Sequence, residues 1–334
     1  MPDSSPSPDT IERYDSALLP ALALLAGRQL DLFTPLKDGP MNAEAIAEIL
    51  GVDASKLELL LYALVAAGLL SVDADQFSNT PEANHFLVRG EPNYIDGGRD
   101  IDLWAHLLET VLKTADSVRA ASPQARHDYR NMPAEELERF FSKLHSGALA
   151  AGRDLVSRCD FSSCRRMLDV GGGSGGVAIA VAEACPHLCA TIVDLPTVTP
   201  FTQQFVNESS VADRVHVLTA DVTNDKLTGS HDLAVLKAFT QTLSPNEIRR
   251  ALKNVSDVIV PGGMVCILAH ILDDSRISPK ETAVFNLVFL NIYEVGQAYT
   301  AGQYDGWLEE AGFGEVERTL LEGGTSLLVA RKLK

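Results

Sequence analysis

The sequence predicts an α/β protein: a doubly wound, mainly parallel sheet with an antiparallel C-terminal hairpin, preceded by an all-α winged-helix domain. Three observations carry this. Over residues 165–334, short apolar runs alternate with amphipathic segments, the pattern of strand–helix–strand units. The tail VERTLLEGGTSLLVARKL breaks that alternation with two strand-like runs about a Glu-Gly-Gly turn. Residues 42–80 read as helix, turn, helix and hairpin.

Taken in order, residues 1–10 (MPDSSPSPDT) read as a disordered tail. Residues 11–33 read as a helix in which Leu18, Leu19, Leu22, Leu24 and Leu25 give a broad apolar face. Asn42 is placed to cap a helix containing Ala43–Leu50, which Gly51 ends; Ser55 opens a second helix that runs to Ala67 and stops at Gly68. LLSVDADQFSNT follows as a hairpin, and the winged-helix domain covers 11–94. Its second helix, KLELLLYALVAAG, is almost entirely apolar, whereas a recognition helix needs polar and basic side chains to reach base edges. The formal net charge of −17 points the same way: nucleic acid calls for a basic footprint. The domain is therefore read as a homodimerisation module.

Residues 95–160 read as a helical connector that carries pocket helices, with Trp104, Leu108 and Val111 on one face and a long helix starting after Pro133. Residues 161–334 form the sheet domain, with strands RMLDV, ATIVD, VHVLTAD, DLAVLKA and MVCILAH. No long apolar run suggests a membrane span, and MPDSSPSPDTIERYD lacks the basic-then-apolar pattern of a secretion signal. The odd count of five cysteines fits reduced thiols, so a cytoplasmic location is expected. Cys185 and Cys189 lack a second Cys or His pair to complete a zinc set, and no metal is expected.

The densest chemical signal is Asp169-Val170-Gly171-Gly172-Gly173-Ser174-Gly175-Gly176, directly after an apolar strand and before a helix. Glycines there permit positive φ and a close approach of ligand to backbone, and a helix N-terminus favours a carboxylate or phosphate. Gly171, Gly173 and Gly176 also satisfy the dinucleotide spacing G-x-G-x-x-G. Two features favour S-adenosylmethionine (SAM) instead. Asp169 completes D-x-G-x-G-x-G with Gly171, Gly173 and Gly175, and an acid at that point meets a cationic amino group but repels a pyrophosphate. The chain also ends in an antiparallel hairpin where a dinucleotide fold continues. Asp194 ends the next strand, where an acid binds ribose hydroxyls. Asp221 ends the third strand and is a candidate for the adenine amino group.

With these residues in place, about residues 12–333 resemble the dimeric SAM-dependent O-methyltransferases that include caffeate and hydroxyindole methyltransferases. The resemblance rests on MLDVGGGSGG, TIVDLP, DLAVLKA followed by LSPNEIRRALKNV, VIVPGGMV and WLEEAGFGEVE. It implies the class I SAM-methyltransferase fold, a winged-helix dimerisation domain and a small-molecule acceptor, with S-adenosylhomocysteine (SAH) as product. By position it implies Asp194 and Leu195 at the ribose, Asp221 with Val222 at the adenine, and Lys237 near the cofactor.

The departure from that family falls where the acceptor loses its proton. Family members read L-K-x-x-x-H-D-W after the fourth strand; here Leu236-Lys237-Ala238-Phe239-Thr240-Gln241 puts an amide at the His position. Ala269 and Ala298 stand where flanking acids are expected. General-base assistance typically contributes about 10²–10⁴-fold, while alignment supplies up to about 7–11 kcal/mol. A nucleophile without a proton therefore suits the site, the concrete version being S-methylation of a thioether such as 4-methylthio-2-hydroxybutyrate on the way to dimethylsulfoniopropionate. The competing version is O- or N-methylation of an aromatic metabolite with His145 as base. Candidate acceptor contacts are Tyr129, Arg130, Phe141, Phe285, Asn286, Phe289, Tyr293 and Gln297, with His145 and Gln241 at the reaction centre. Two other classes stay open: a relative that binds SAM without transferring methyl, as in pericyclase- or hydroxylase-like enzymes, and a SAM-sensing winged-helix regulator.

Overall fold

The computed structural model describes residues 6–95 and 101–334, excluding the side chains of residues 102 and 103. It divides into two compact units, residues 1–105 and 106–334.

The N-terminal unit holds α1 (Asp9–Gln29), α2 (Ala43–Leu50), α3 (Ala54–Ala66), β1 (Leu70–Asp73), β2 (Gln76–Asn79) and α4 (Pro81–Phe86). Asn42 accepts from the Ala45 N–H and caps α2, and Gly51 closes it in the left-handed conformation. Asp53 caps α3 by accepting from Lys56, so this helix starts just ahead of Ser55, whose hydroxyl instead bonds Asp53. β1 and β2 pair antiparallel from Leu70↔Asn79 to Asp73↔Gln76, which is the expected hairpin. The first helix is shorter than its apolar pattern: it ends at Gln29, and Leu32 and Phe33 turn inward into a core with Ile46, Leu57, Leu61, Leu64 and Phe77. α5 (Ile101–Val111) follows and extends past the boundary between the units.

The second unit continues with α6 (Thr114–Ala120), α7 (Ala134–Arg158), β3 (Arg166–Val170), α8 (Gly176–Ala184), β4 (Cys189–Asp194), α9 (Thr199–Glu208), β5 (Val215–Thr219) and β6 (His231–Lys237). After these come α10 (Pro245–Val258), β7 (Ile259–Leu272), α11 (Lys280–Ile292), β8 (Tyr299–Thr300), α12 (Ala301–Glu310), β9 (Phe313–Leu320) and β10 (Thr325–Lys332). The strand order is β5-β4-β3-β6-β7-β10-β9, with β8 beside β7. β3 to β7 are parallel, while β10 is antiparallel to both β7 and β9. The central strands β3 and β6 are covered on both faces and carry short apolar runs.

Helix α8 is buried along most of its length, because α7 lies against it on small residues. A Cβ on Gly152 would stand 2.8 Å from the Ala180 Cβ, and one on Gly176 2.8 Å from that of Ala148. This close fit brings α7 against the glycine loop. Ser244 and Glu247 form a capping box on α10, as do Thr300 and Gln303 on α12. Among the described residues no helix is long and apolar enough to cross a membrane.

Candidate active site

The sheet order sets the ends of β3, β4, β5 and β6 side by side, at the edge where open α/β sheets bind ligands. Asp169 lies in register with Ile192 of β4 and Val235 of β6. Past it the chain turns through Gly171, Gly173 and Gly175, all at positive φ (62°, 56° and 75°). The loop is closely covered: a Cβ on Gly171 would run into the Phe239 ring, and one on Gly173 would stand 2.8 Å from the Phe141 ring. The Gly173 N–H donates to Asp194 at 2.8 Å, and Thr202 donates to the Gly173 carbonyl at 2.6 Å.

The charges at this loop are poised for a cation. Asp169 is 1% exposed; its Oδ2 accepts from the Ala178 N–H at 3.2 Å, and its Oδ1 has no hydrogen-bond partner. Burial pushes its carboxyl up to about 7, against the pull of the Ala178 N–H; Asp194 adds repulsion and Lys237 opposes it. Burial also holds the Lys237 ammonium below its ordinary value, opposed by Asp169. Asp194 is raised to about 6 by burial, despite the N–H groups of Gly173 and Leu195. A buried carboxyl with an orphaned oxygen beside a positive-φ glycine cradle fits the ammonium of a methionine moiety. Asp194 keeps acceptor capacity for ribose hydroxyls. These residues fit SAM, which supplies an electrophilic methyl on a sulfonium when bound.

Asp221 is more occupied than its sequence position suggests. Its Oδ1 accepts from Thr223 N–H and Oγ1 (3.0 and 2.7 Å), and its Oδ2 from Arg130 and Asn224 (2.7 and 2.6 Å). Burial pushes its carboxyl up, but these bonds outweigh burial and hold it below the ordinary carboxylate value. Arg130, a candidate acceptor contact, is thus placed on the cofactor side of the site. Val222 is buried beside it and its carbonyl accepts from Asn254 at 2.9 Å.

His145 lies against the glycine loop: its Nδ1 is 3.0 Å from the buried Ser174 hydroxyl, and its ring stacks on Phe205 of α9 at 4.3 Å. Burial lowers its pKa, with Glu208 opposing.

The aromatic candidates do come together. Phe285, Phe289 and Tyr293 follow one another along one side of α11 with ring centroids 5.2 and 5.7 Å apart. The Tyr293 hydroxyl lies 3.4 Å from that of Tyr129, whose ring adjoins Phe140 and Phe141 at 5.7 and 6.2 Å. This series of rings runs from α11 to the Phe141 face of Gly173. Gln241 is buried, and its Oε1 accepts from the His270 N–H at 3.5 Å, while the His270 ring stacks on Phe285 at 4.2 Å. Asn286 is turned to the Ala298 N–H (2.9 Å), and Gln297 is exposed.

Sequence reasoning missed Ala238, Phe239, Ser174, Thr202, His270 and Asn291. Ala238 sits at φ 54°, a strained position for a residue with a Cβ. It starts the bend that lays Phe239 over Gly171. Asn291 is fully buried; it accepts from Ser117 at 2.7 Å and donates to Thr114 at 2.9 Å, tying α11 to α6. A polar residue within NLVFLNIY was the available sign.

Comparison with known proteins agrees with this geometry. Residues 104–314 match the family model of the O-methyltransferase domain, and residues 17–89 that of the O-methyltransferase dimerisation domain. The chain is 31% identical over 297 residues to the 3-hydroxy-5-methyl-1-naphthoate 3-O-methyltransferase of Streptomyces sahachiroi, covering 88% of this chain and 86% of that protein. It is 28% identical over 332 residues to the tetracenomycin polyketide synthesis 8-O-methyl transferase TcmO of Streptomyces glaucescens, covering 97% of each. Human N-acetylserotonin methyltransferase, solved in complex with SAM, shares the fold at a TM-score of 0.77 and 24% identity, with 100% of each chain covered. The chain therefore belongs to the O-methyltransferase family and is a SAM-dependent methyltransferase of small molecules.

Proposed function

We propose that the acceptor is a planar aromatic molecule, and that the enzyme methylates a hydroxyl oxygen of it that ionises without an enzyme base. The observation that carries this is the unbroken series of rings from Phe285 to Tyr293, Tyr129 and Phe141, with the Gln241 amide, not a base, beside it. Such walls suit a flat aromatic face. A phenolate already formed needs alignment with the sulfonium and no proton acceptor. The names of the two Streptomyces relatives, a hydroxynaphthoate and a polyketide methyltransferase, support the same class.

The thioether reading has less support. 4-Methylthio-2-hydroxybutyrate is aliphatic and has no flat face to lay on the rings of Phe285, Phe289, Tyr293 and Tyr129. The N-terminal unit is read as a homodimerisation surface, because Ile11, Tyr14, Leu18, Leu19 and Leu22 of α1 are all exposed. The deciding experiment incubates the protein and SAM with hydroxynaphthoates, simple phenols, aromatic amines and 4-methylthio-2-hydroxybutyrate, and identifies the products by mass spectrometry. O-methylated hydroxynaphthoate is expected. A sulfonium product with untouched hydroxynaphthoates would overturn the proposal.

A further inference from the structure

Residues 125–130 run between the acceptor helix and the cofactor edge without forming a helix or strand. At one end the N–H groups of Ala125 and His127 donate to the carbonyls of Asn291 and Ile292, at the end of α11, at 3.0 and 2.8 Å. The Tyr129 hydroxyl meets that of Tyr293. In the middle, Thr197, three residues beyond Asp194, donates to the Tyr129 carbonyl at 2.8 Å. At the other end Arg130 rests on Asp221 at 2.7 Å. The segment is thus bonded to the acceptor helix, the loop after β4 and the loop after β5. It contacts the loops after β4 and β5, which carry Asp194 and Asp221, the two residues expected beside an adenosine. The aromatic side of Tyr129 completes the link through Phe141, which covers Gly173.

We infer that residues 125–130 are a strap that couples the two binding events, with Tyr129 and Arg130 as positioning residues: cofactor binding orders the strap, and the ordered strap fixes α11 for the acceptor. The coupling follows from shared groups. Every bond that steadies Asp221 or the loop after Asp194 also steadies the strap, and the strap holds the last turn of α11 by two backbone bonds. Linkage makes the effect reciprocal, so the acceptor tightens the cofactor by the same factor. The Arg130–Asp221 pair is the adjustable member, because it joins an exposed guanidinium to a largely covered carboxylate. The inference does not depend on the acceptor's chemistry, and its test uses no acceptor.

The test is amide hydrogen exchange of the full chain with and without SAH, read on peptides covering residues 123–132 and 287–294. SAH is expected to slow exchange of the Ala125 and His127 amides by about threefold or more, the size that a partly exposed ion pair supports. In Arg130→Gln, SAH still binds and protects the glycine loop, but the slowing at residues 125 and 127 is lost. Tyr129→Phe keeps the backbone bonds and loses the hydroxyl contact, so SAH no longer protects residues 287–294 beyond the apo level. Unchanged or faster exchange of the strap on SAH binding in the wild type would overturn the inference. So would equal protection of the strap in Arg130→Gln.

Discussion

His145 Nδ1 lies 3.0 Å from the Ser174 hydroxyl, which binds the one helix histidine that suggested a base to the loop that holds the methyl donor. We propose that His145 positions that loop. Replacing it with Ala removes one hydrogen bond and a stacked ring, and a net loss of about 1 kcal/mol predicts SAH binding roughly five- to tenfold weaker. The pH profile of kcat is expected to stay as in the wild type. Titration calorimetry and a kcat profile from pH 6 to 9 check both points, and loss of an ionisation from that profile would restore His145 as the base.

Cofactor binding is expected to be linked to protons at Asp169. Its free carboxyl is raised to about 7, and a bound ammonium favours the charged form. Affinity for SAH therefore rises with pH up to about 7 and levels off above it, with proton release on binding below that point. Asp194, raised to about 6, acts in the same direction because ribose hydroxyls donate to a carboxylate. Calorimetry in two buffers of different ionisation enthalpy measures the release. Asp169→Asn is expected to abolish the pH dependence near 7 and to weaken SAH by roughly tenfold to a hundredfold, the range of a charged hydrogen bond.

Gly173→Ala tests the cradle. It places a Cβ at φ 56° and 2.8 Å from the Phe141 ring. The left-handed conformation alone costs about 1–2 kcal/mol, and Phe141 has to move as well. A lowered melting temperature and at least about a tenfold loss of SAH affinity are expected; wild-type affinity would show that the ring does not cover the loop.

For an acceptor that is already ionised, Gln241 has no proton to take. Gln241→Ala is expected to slow kcat by less than about tenfold, well short of the 10²–10⁴ that a general base contributes. Across a series of hydroxynaphthoates, the rising limb of kcat/KM is expected to follow the pKa of each acceptor's own hydroxyl. A fixed limb, the same for every acceptor, would point to a base on the enzyme.

Stability is expected to fall with acidity through His127. Burial, with His106 adding repulsion, brings its folded pKa from 6.5 down to about 4. The folded state favours the neutral ring, so the stabilisation is complete above pH 6.5 and is lost as pH falls from there to about 4. The full loss is about 3 kcal/mol. Chemical denaturation at pH 7.5 and 4.5, compared between wild type and His127→Phe, isolates this contribution as the part of the acid loss that the variant lacks.

The sheet was legible because its central strands are covered on both faces, so residues 167–168 and 233–236 read as short apolar runs. The donor side was legible for a related reason: glycines at positive φ and acids at strand ends are fixed by local geometry. The acceptor side depends on contacts between distant residues. Tyr129 and Tyr293 stand 164 positions apart, and Arg130 and Asp221 stand 91 apart. Helical periodicity placed His145 on a face of α7 but gave no sign that Ser174 would meet it. Arg130 read as an acceptor contact from its place just upstream of the helix that carries His145; nothing local signalled that its partner would be Asp221.

The order of strands has a consequence for how such an enzyme diversifies. Asp169 and Asp194, the acids placed to hold the donor, come from β3 and β4 on one half of the sheet edge, while Gln241 and α11 belong to the half that begins at β6. Substitutions on α11 can redraw which molecule is modified while the acids at the donor stay in place. A lineage built this way changes its product one wall at a time and never passes through a form that has forgotten its reagent.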